Sequence, residues 1–523
     1  MNTSSDTPVS DELLEAIKET INLLKKENSH DMAVTKIIGF KGKKSVTRYT
    51  LIKALLAVGQ ERKSKAIIQT ALDAFDKVKA KAPSDPDLYY NIATCYQELY
   101  DFCRRDEGAN IFDCEDIIKQ AFKYARKASA NDPRALTNLG NLYDALGRPV
   151  EAIACYEHAL HRDKNFGMAL GNKAIAIKSL APITIYSTMY LVYAHQLYQA
   201  SFTYEQSIID VGGLEALKIF QSRDKEIIRR FTESGKAELL NKDLRHEHYD
   251  ESSLSDFVKF YTDFCIRHNL YLNLHIMDKT ANASVGDAVT PRLVTHIGAP
   301  KEQEYVSDIM FRLNEIIEAY MTARMSLVQS QYTNSDFSAI SNQTSLVNLL
   351  DYSVSNIYVG HLKSAYKEAF SALDKIAVLI NHYLDLGLPE ESCYYRNVWY
   401  EYDANGEMKD PLVIASKVKA QGYRLFGLYL LCQELCGSKY SHIRNALTHR
   451  YLRVYRAVKG PKGTLMFEDL TRTTIDALYK IKCAIMYVSL FIESKERSKR
   501  KDGLTIEYGD PESQDTKMAL AKV

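Results

Sequence analysis

With 523 residues, 46% of them hydrophobic and 25% charged, the chain has room for two or three domains that each bury a core. A net charge of +1 excludes a global field that would draw the whole molecule to nucleic acid, so any basic surface is local. The opening residues lack the basic and apolar regions of an export leader, the stretches Ile183–Tyr198 and Ile481–Ile492 are too short or too interrupted to span a bilayer, and nine scattered cysteines read as buried thiols; together these point to a cytoplasmic protein with no membrane partner.

Apolar residues at three- and four-residue spacing predict helices over Asp11–Lys26, Val46–Val58 and Glu61–Lys81, so residues 1–85 form an N-terminal helical segment that Pro83-Ser84-Asp85-Pro86 closes. A repeat comes next. Asn138-Leu139-Gly140-x-x-Tyr143 recurs 34 residues later as Asn172-Lys173-Ala174-x-x-Ile177, with Leu136 echoed by Leu170. Tyr89-x-Asn91-Ile92-Ala93-x-x-Tyr96 has the same internal spacing. Gly140, Ala152 and Ala159 are small enough to let paired helices approach, and larger residues between them fill the gaps. This pattern resembles the tetratricopeptide repeat, best matched over Asp132–Phe166, and residues 86–245 read as an array of that kind. Such repeats bind a peptide or protein in a concave groove. Asn91, Asn138 and Asn172 occupy one position on successive first helices; they either line that groove or serve packing alone. The tyrosines at 186, 190, 193 and 198 read as core or as packing between repeats.

Residues 246–303 connect the repeats to the C-terminal helices, as a helix over Phe257–Arg267 and then a loop or lid at Asp278–Gln303. Helices are predicted for Glu304–Gln329, for Leu346–Leu386 with a break near Gly360, for Ala420–Leu435 and for Thr473–Glu493. Tyr400–Met408 reads as a hairpin with Asn405-Gly406 at its tip, and residues 495–523 as a charged, solvated tail or an RNA-contacting one.

One further helix carries the candidate chemistry. In Ser441–Tyr451, Ile443, Leu447, Tyr451 and Val454 form an apolar stripe, while His442, Asn445, His449, Arg453 and Arg456 lie opposite, with Arg444 at the edge and no carboxylate among them. Four zinc ligands from Cys432, Cys436, His442 and His449 are a poor fit, because the two cysteines lie one turn apart on an apolar helix without a knuckle. No metal and no cofactor is expected, for the chain also lacks a phosphate-binding glycine loop and a nucleophile elbow.

Arg444-Asn445-Ala446-Leu447-Thr448-His449 resembles the Arg, four to six residues, His motif of HEPN (higher eukaryote and prokaryote nucleotide-binding) domains. Glu304–Ser307, Leu349–Tyr352 and Leu373–Ala377 are similar to a HEPN subfamily often joined to tetratricopeptide repeats, and Phe264-Cys265 with Leu270–Asn273 to the segment that precedes the domain there. The resemblance implies an all-α chain in which a HEPN helical bundle at 304–494 comes after the repeats. It also implies a metal-independent endoribonuclease acting through 2′-OH attack, with a site shared between two protomers of a homodimer or higher assembly. Arg444, Asn445 and His449 would be catalytic: the imidazole moves protons near neutral pH and the planar guanidinium holds phosphate oxygens. Asp374 is either an acidic helper in that site or a surface ion-pair residue. His442, Arg450, Arg453 and Arg456 either contact RNA or are solvated. A toxin or anti-phage role follows from the family, with a protein or peptide trigger or inhibitor at the repeats. The competing expectation is a catalytically inactive HEPN scaffold for protein–protein interaction.

Overall fold

In the computed structural model of the chain, the described residues run from 52 to 508, besides three isolated earlier positions, and leave out 57, 61, 78, 80–84, 106–109, 129–131, 243–251, 275–284, 297–298, 348–349, 404–405, 410–411, 458 and 500–504. The expected helix Asp11–Lys26 lies almost wholly outside the described residues, as do the first half of Val46–Val58, residues 278–284 of the expected lid and the Asn405 tip of the expected hairpin. The fold is all-α with a few short strands. It divides into two compact units, Met1–Leu142 with Ala154–Ala169, and Tyr143–Ile153 with Leu170–Val523.

The first unit contains α1 (Lys65–Asp76), α2 (Pro86–Arg105), α3 (Glu115–Ala128) and most of the hairpin of α4 (Pro133–Ala145) and α5 (Pro149–Arg162). Ser64 caps α1 by accepting from the Ile67 amide, which leaves Ile68, Ala71, Leu72 and Phe75 to face the core. Tyr124 of α3 stacks on Tyr96 of α2 with ring centroids 5.9 Å apart and meets Phe75 edge-on at 5.5 Å. Asp132 accepts from the Arg134 amide at 2.8 Å and Pro133 takes the first helical position, so α4 begins where its free N–H groups are fewest. Gly140 then lets α5 close in, because a Cβ there would lie 2.5 Å from the Tyr156 ring, whose hydroxyl donates to Asn141 at 2.9 Å.

One expectation fails in this unit. Cys103, at the end of α2, and Cys114, just before α3, form a disulfide, so not every cysteine is a thiol. The intervening residues read as a plain insertion, and spacing along the chain does not reveal that the two Cα atoms lie 6.8 Å apart.

In the second unit, after α6 (Gly167–Leu180), come α7 (Ser187–Phe202), α8 (Glu205–Glu233), α9 (Asp256–Arg267), β1 (Leu293–His296), α10 (Pro300–Gln331) and α11 (Ser335–Asn342). Further elements, besides short helical turns at Glu390–Ser392 and Ser416–Lys419, are α12 (Ile357–Leu384), α13 (Tyr423–Cys436), α14 (Ser438–His449), β2 (Val454–Tyr455), β3 (Leu465–Met466), α15 (Phe467–Lys499) and β4 (Thr505–Tyr508). Helix α15 is buried or half-buried on every side from Leu478 to Val488 and packs on α10, α12 and α13, which makes it the centre of the C-terminal bundle. Buried polar groups pin the segment before the bundle: Arg324 holds both oxygens of Asp287 at 2.7 Å and the Leu270 carbonyl at 3.1 Å, and Lys482 donates to the Asn273 carbonyl at 2.6 Å.

Several boundaries differ from expectation. Part of the expected lid is strand β1, and residues of the expected tail form β4, paired antiparallel from Leu293↔Tyr508 to His296↔Thr505. Helix α15 also continues to Lys499, so the tail begins as helix. Short strands of this kind depend on a partner more than two hundred residues away, so neither segment shows a pattern of its own. Helix α12 begins at Ile357, after Asn356 accepts from the Val359 amide, and runs through Gly360 without a break. Among the described residues, no helix is long and apolar enough to cross a membrane.

Candidate functional site

Helix α14 starts directly after Gly437 and ends at His449, two residues short of the expected Tyr451. Its buried side is Tyr440, Ile443 and Ala446, with Leu447 half-buried. Tyr451 is 100% exposed, which corrects its place in the expected apolar stripe, and Val454 is buried as part of β2. The cause is backbone competition: Ser353 bridges Tyr455, the Val354 amide donates to the Val454 carbonyl at 2.8 Å, and the Leu465 amide to the Arg453 carbonyl at 3.2 Å. Once 453–455 is paired in this way it is unavailable to a helix.

Arg444 is anchored. Its Nη2 donates to Asp374 Oδ2 at 2.6 Å, and its guanidinium lies 5.2 Å from the Tyr395 ring centroid and 5.9 Å from that of Phe370. Asp374 comes from α12 and also accepts from the Tyr395 amide at 3.2 Å. Burial pushes the Asp374 carboxyl above its ordinary range, against the pull of Arg444, the Tyr395 N–H and Arg396. The structure thus brings together two of the expected site residues, Arg444 and Asp374, from positions 70 residues apart.

His442, Asn445 and His449 are all exposed and, at roughly 100° per residue, fall within about 60° of one another around the α14 axis. Arg444 points roughly 140° away from His449. One copy therefore presents a stripe of two imidazoles and an amide on one side and an anchored guanidinium on another. Arg450 is exposed at the end of α14. The basic face is less free of carboxylates than its sequence suggests, because Arg453 pairs with Asp351 at 2.8 Å, while Arg456 stacks on the Phe467 ring at 5.1 Å.

The rings that hold Arg444 were not foreseen as site residues. Phe370 reads only as part of the α12 apolar stripe, and Tyr395 lies in irregular chain with no periodic signal. Equally unforeseen is a second arginine, Arg148, in the turn between α4 and α5. It is 0% exposed, donates to both oxygens of Glu151 at 2.6 and 2.5 Å, and reaches Glu434 on α13 at 2.8 Å. Glu434 is shared with Lys480 of α15 at 2.7 Å, and Tyr487 donates to Glu151 at 3.1 Å. Against burial, Arg148 and Lys480 hold the Glu434 carboxyl down at about 2. Opposite the turn, Gly427 leaves space for the Leu146 carbonyl, which a Cβ would meet at 2.2 Å.

Of the other expected residues, Asn138 donates its amide to the Tyr90 hydroxyl at 2.9 Å, and Asn91 and Asn172 are half-buried on α2 and α6. Cys432 is fully buried and Cys436 partly so; burial pushes both thiols up, which disfavours the thiolate a metal needs.

A family model described as LA2681-like HEPN matches residues 301–495, and one for the tetratricopeptide repeat matches residues 133–166. Among solved structures, the chain is similar to a thermophilic tetratricopeptide-repeat protein of Thermus thermophilus, at 16% identity and a TM-score of 0.26, over 42% of this chain and 99% of that one. It is also similar to MamA (MSR-1 C2), at 16% identity and a TM-score of 0.21, again over 42% of this chain and 99% of that one. No curated protein matches the chain. The protein therefore joins a tetratricopeptide repeat at residues 133–166 to an LA2681-like HEPN domain at residues 301–495.

Proposed function

We propose that the protein is a metal-independent endoribonuclease whose site forms when the α14 helices of two copies face each other. The observation that carries this reading is the pairing of an anchored Arg444 with an exposed His442–Asn445–His449 stripe on one helix. In the reaction, a ribose 2′-oxygen attacks the adjacent phosphorus and the 5′-oxygen leaves, giving a 2′,3′-cyclic phosphate and a 5′-hydroxyl. His449 takes the 2′ proton in one copy, and the same residue of the other copy protonates the leaving oxygen. Arg444 neutralises the phosphorane oxygens with the N–H groups that Asp374 does not occupy, and Asn445 orients the imidazole or the phosphate. Arg450, Arg453, Arg456 and His442 extend the surface for the RNA backbone.

Large apolar side chains beside this face favour a second copy as its partner. Tyr451 is 100%, Leu350 98% and Tyr352 72% exposed, and the Asp351–Arg453 pair joins the two stretches that carry them. The repeats, with Asn91, Asn138 and Asn172 on their first helices, receive the trigger or inhibitor that a growth-arresting toxin or anti-phage effector in the cytoplasm needs.

The test is cleavage of total cellular RNA by purified protein in the presence of a chelator. Wild type yields cyclic phosphate ends, His449→Ala loses about 100-fold or more, and Arg444→Ala loses a similar factor. Cleavage retained by both variants, or abolished by the chelator, defeats the reading. One observation favours the scaffold alternative: the Arg444 charge is already paired with Asp374, as in a structural ion pair. That alternative predicts a dimer with no cleavage and no growth arrest on expression of the wild type.

A further inference from the structure

Away from α14, a cavity of about 440 Å³ opens among α6, α7, α8, α13 and α15. Lys178, Arg223, Arg424 and Arg497 line it against two carboxylates, Glu226 and Glu493, which leaves an excess of positive charge. Lys178 and Glu226 neutralise each other at 2.5 Å, while Arg223 and Arg497 lie 3.7 Å from their acidic neighbours and are more than half exposed. Arg424 stands in the first turn of α13, whose cap residue Gly422 supplies no side-chain acceptor, so the helix end adds to the positive potential.

Tyr198 is the independent sign of a ligand. It is 0% exposed and lines the cavity, yet its hydroxyl is buried and has no hydrogen-bond partner among the described residues. An unpaired buried hydroxyl is unfavourable, and a bound acceptor removes that cost. Ile175 and Leu490 supply apolar wall beside the cations. The volume lies within the range of roughly 300–1,000 Å³ found for small-molecule sites.

We propose that this cavity, with Arg223, Arg424 and Arg497 at its mouth and the Tyr198 hydroxyl inside, binds a small organic phosphate. The phosphate oxygens take the guanidinium groups and the hydroxyl, and the organic portion lies on Ile175 and Leu490. A bound molecule clamps α6 and α8 to α13, the helix that leads directly into α14. The site is separate from Arg444 and does not depend on RNA cleavage.

The test is calorimetric titration of the full-length protein with adenosine monophosphate, pyrophosphate and inorganic phosphate at constant ionic strength. Adenosine monophosphate is expected to bind with one saturable site, more tightly than inorganic phosphate. Arg424→Gln weakens it about tenfold, Tyr198→Phe by about three- to tenfold, and Arg444→Ala leaves it unchanged. Thermal melts of each free variant, close to wild type, separate lost contacts from lost folding. The proposal is overturned by no saturable binding of any probe below about 10 mM, by Arg424→Gln and Tyr198→Phe binding as wild type, by loss of binding in Arg444→Ala, or by inorganic phosphate binding as tightly as the nucleotide.

Discussion

The second unit holds two arginines in opposite ways. Arg148 is wholly buried and its fork is taken up by Glu151 and Glu434, with Lys480 and Tyr487 completing the network. The Arg444 guanidinium donates to Asp374, rests on two aromatic rings and, among the described residues, keeps 22% of its side chain exposed. A guanidinium has five N–H donors, so the first arrangement spends them on structure while the second keeps most of them for something else. Arg148 fastens the repeat turn to α13 and α15, whereas Arg444 is oriented by its surroundings and only partly buried, as the proposed phosphate contact requires.

The contrast breaks first under substitution of the two arginines. Arg148→Met leaves Glu151 without its buried counter-charge and Glu434 with Lys480 alone, and should lower stability by about 3–5 kcal/mol in urea unfolding. Arg444→Gln, at a partly exposed ion pair, should cost under about 1 kcal/mol while removing RNA cleavage. Equal destabilisation by the two would erase the distinction. Acid gives the next largest effect. The Glu434 carboxyl is depressed from 4.5 to about 2, so its contribution is complete above 4.5 and is lost as pH falls toward 2. Asp374 runs the other way, because its raised value favours protonation in the folded state and the cost of ionising it appears as pH rises. Urea midpoints between about pH 5 and pH 3 should therefore fall steeply for wild type and less so for Glu434→Gln; parallel curves would count against that fastening.

Smaller changes sharpen the same picture. Gly140→Ala drives a methyl into the Tyr156 ring and should cost about 1–3 kcal/mol without touching the α14 chemistry. Asp374→Asn keeps an oxygen for the Tyr395 N–H and should change stability by under about 1 kcal/mol, yet reduce cleavage by loosening Arg444. A loss of several kcal/mol would make Asp374 a structural residue instead. His442→Ala and Asn445→Ala, on the exposed stripe, should stay within about 0.5 kcal/mol of wild type in unfolding.

Much of the helical architecture was legible because its signals are local. The period of three and four apolar residues marks α10, α12, α13 and α15, and the 34-residue echo marks the repeat at 133–166. Arg444, His449 and Asp374 stand out by their resemblance to the HEPN pattern. Several features were not legible, because each rests on a distant partner. Tyr395 has no pattern to flag it, Arg148 reads as an ordinary turn residue, and Cys103 with Cys114 looks like two stray thiols. The end of α14 was missed for the same reason, since the chain at 453–455 leaves the helix to pair with 353–354 and 465.

By itself, then, the sequence determined the helices, the repeat and the presence of an Arg–Asn–His set on one of them, since these depend on residues within a turn or a period of each other. Tertiary structure alone decided how that set is held. It placed Asp374, Phe370 and Tyr395 around Arg444, left His442, Asn445 and His449 open, and buried Arg148 against two carboxylates. Charges, rings and buried hydroxyls take their meaning from what stands within a few ångströms of them, and that is settled only when distant helices pack.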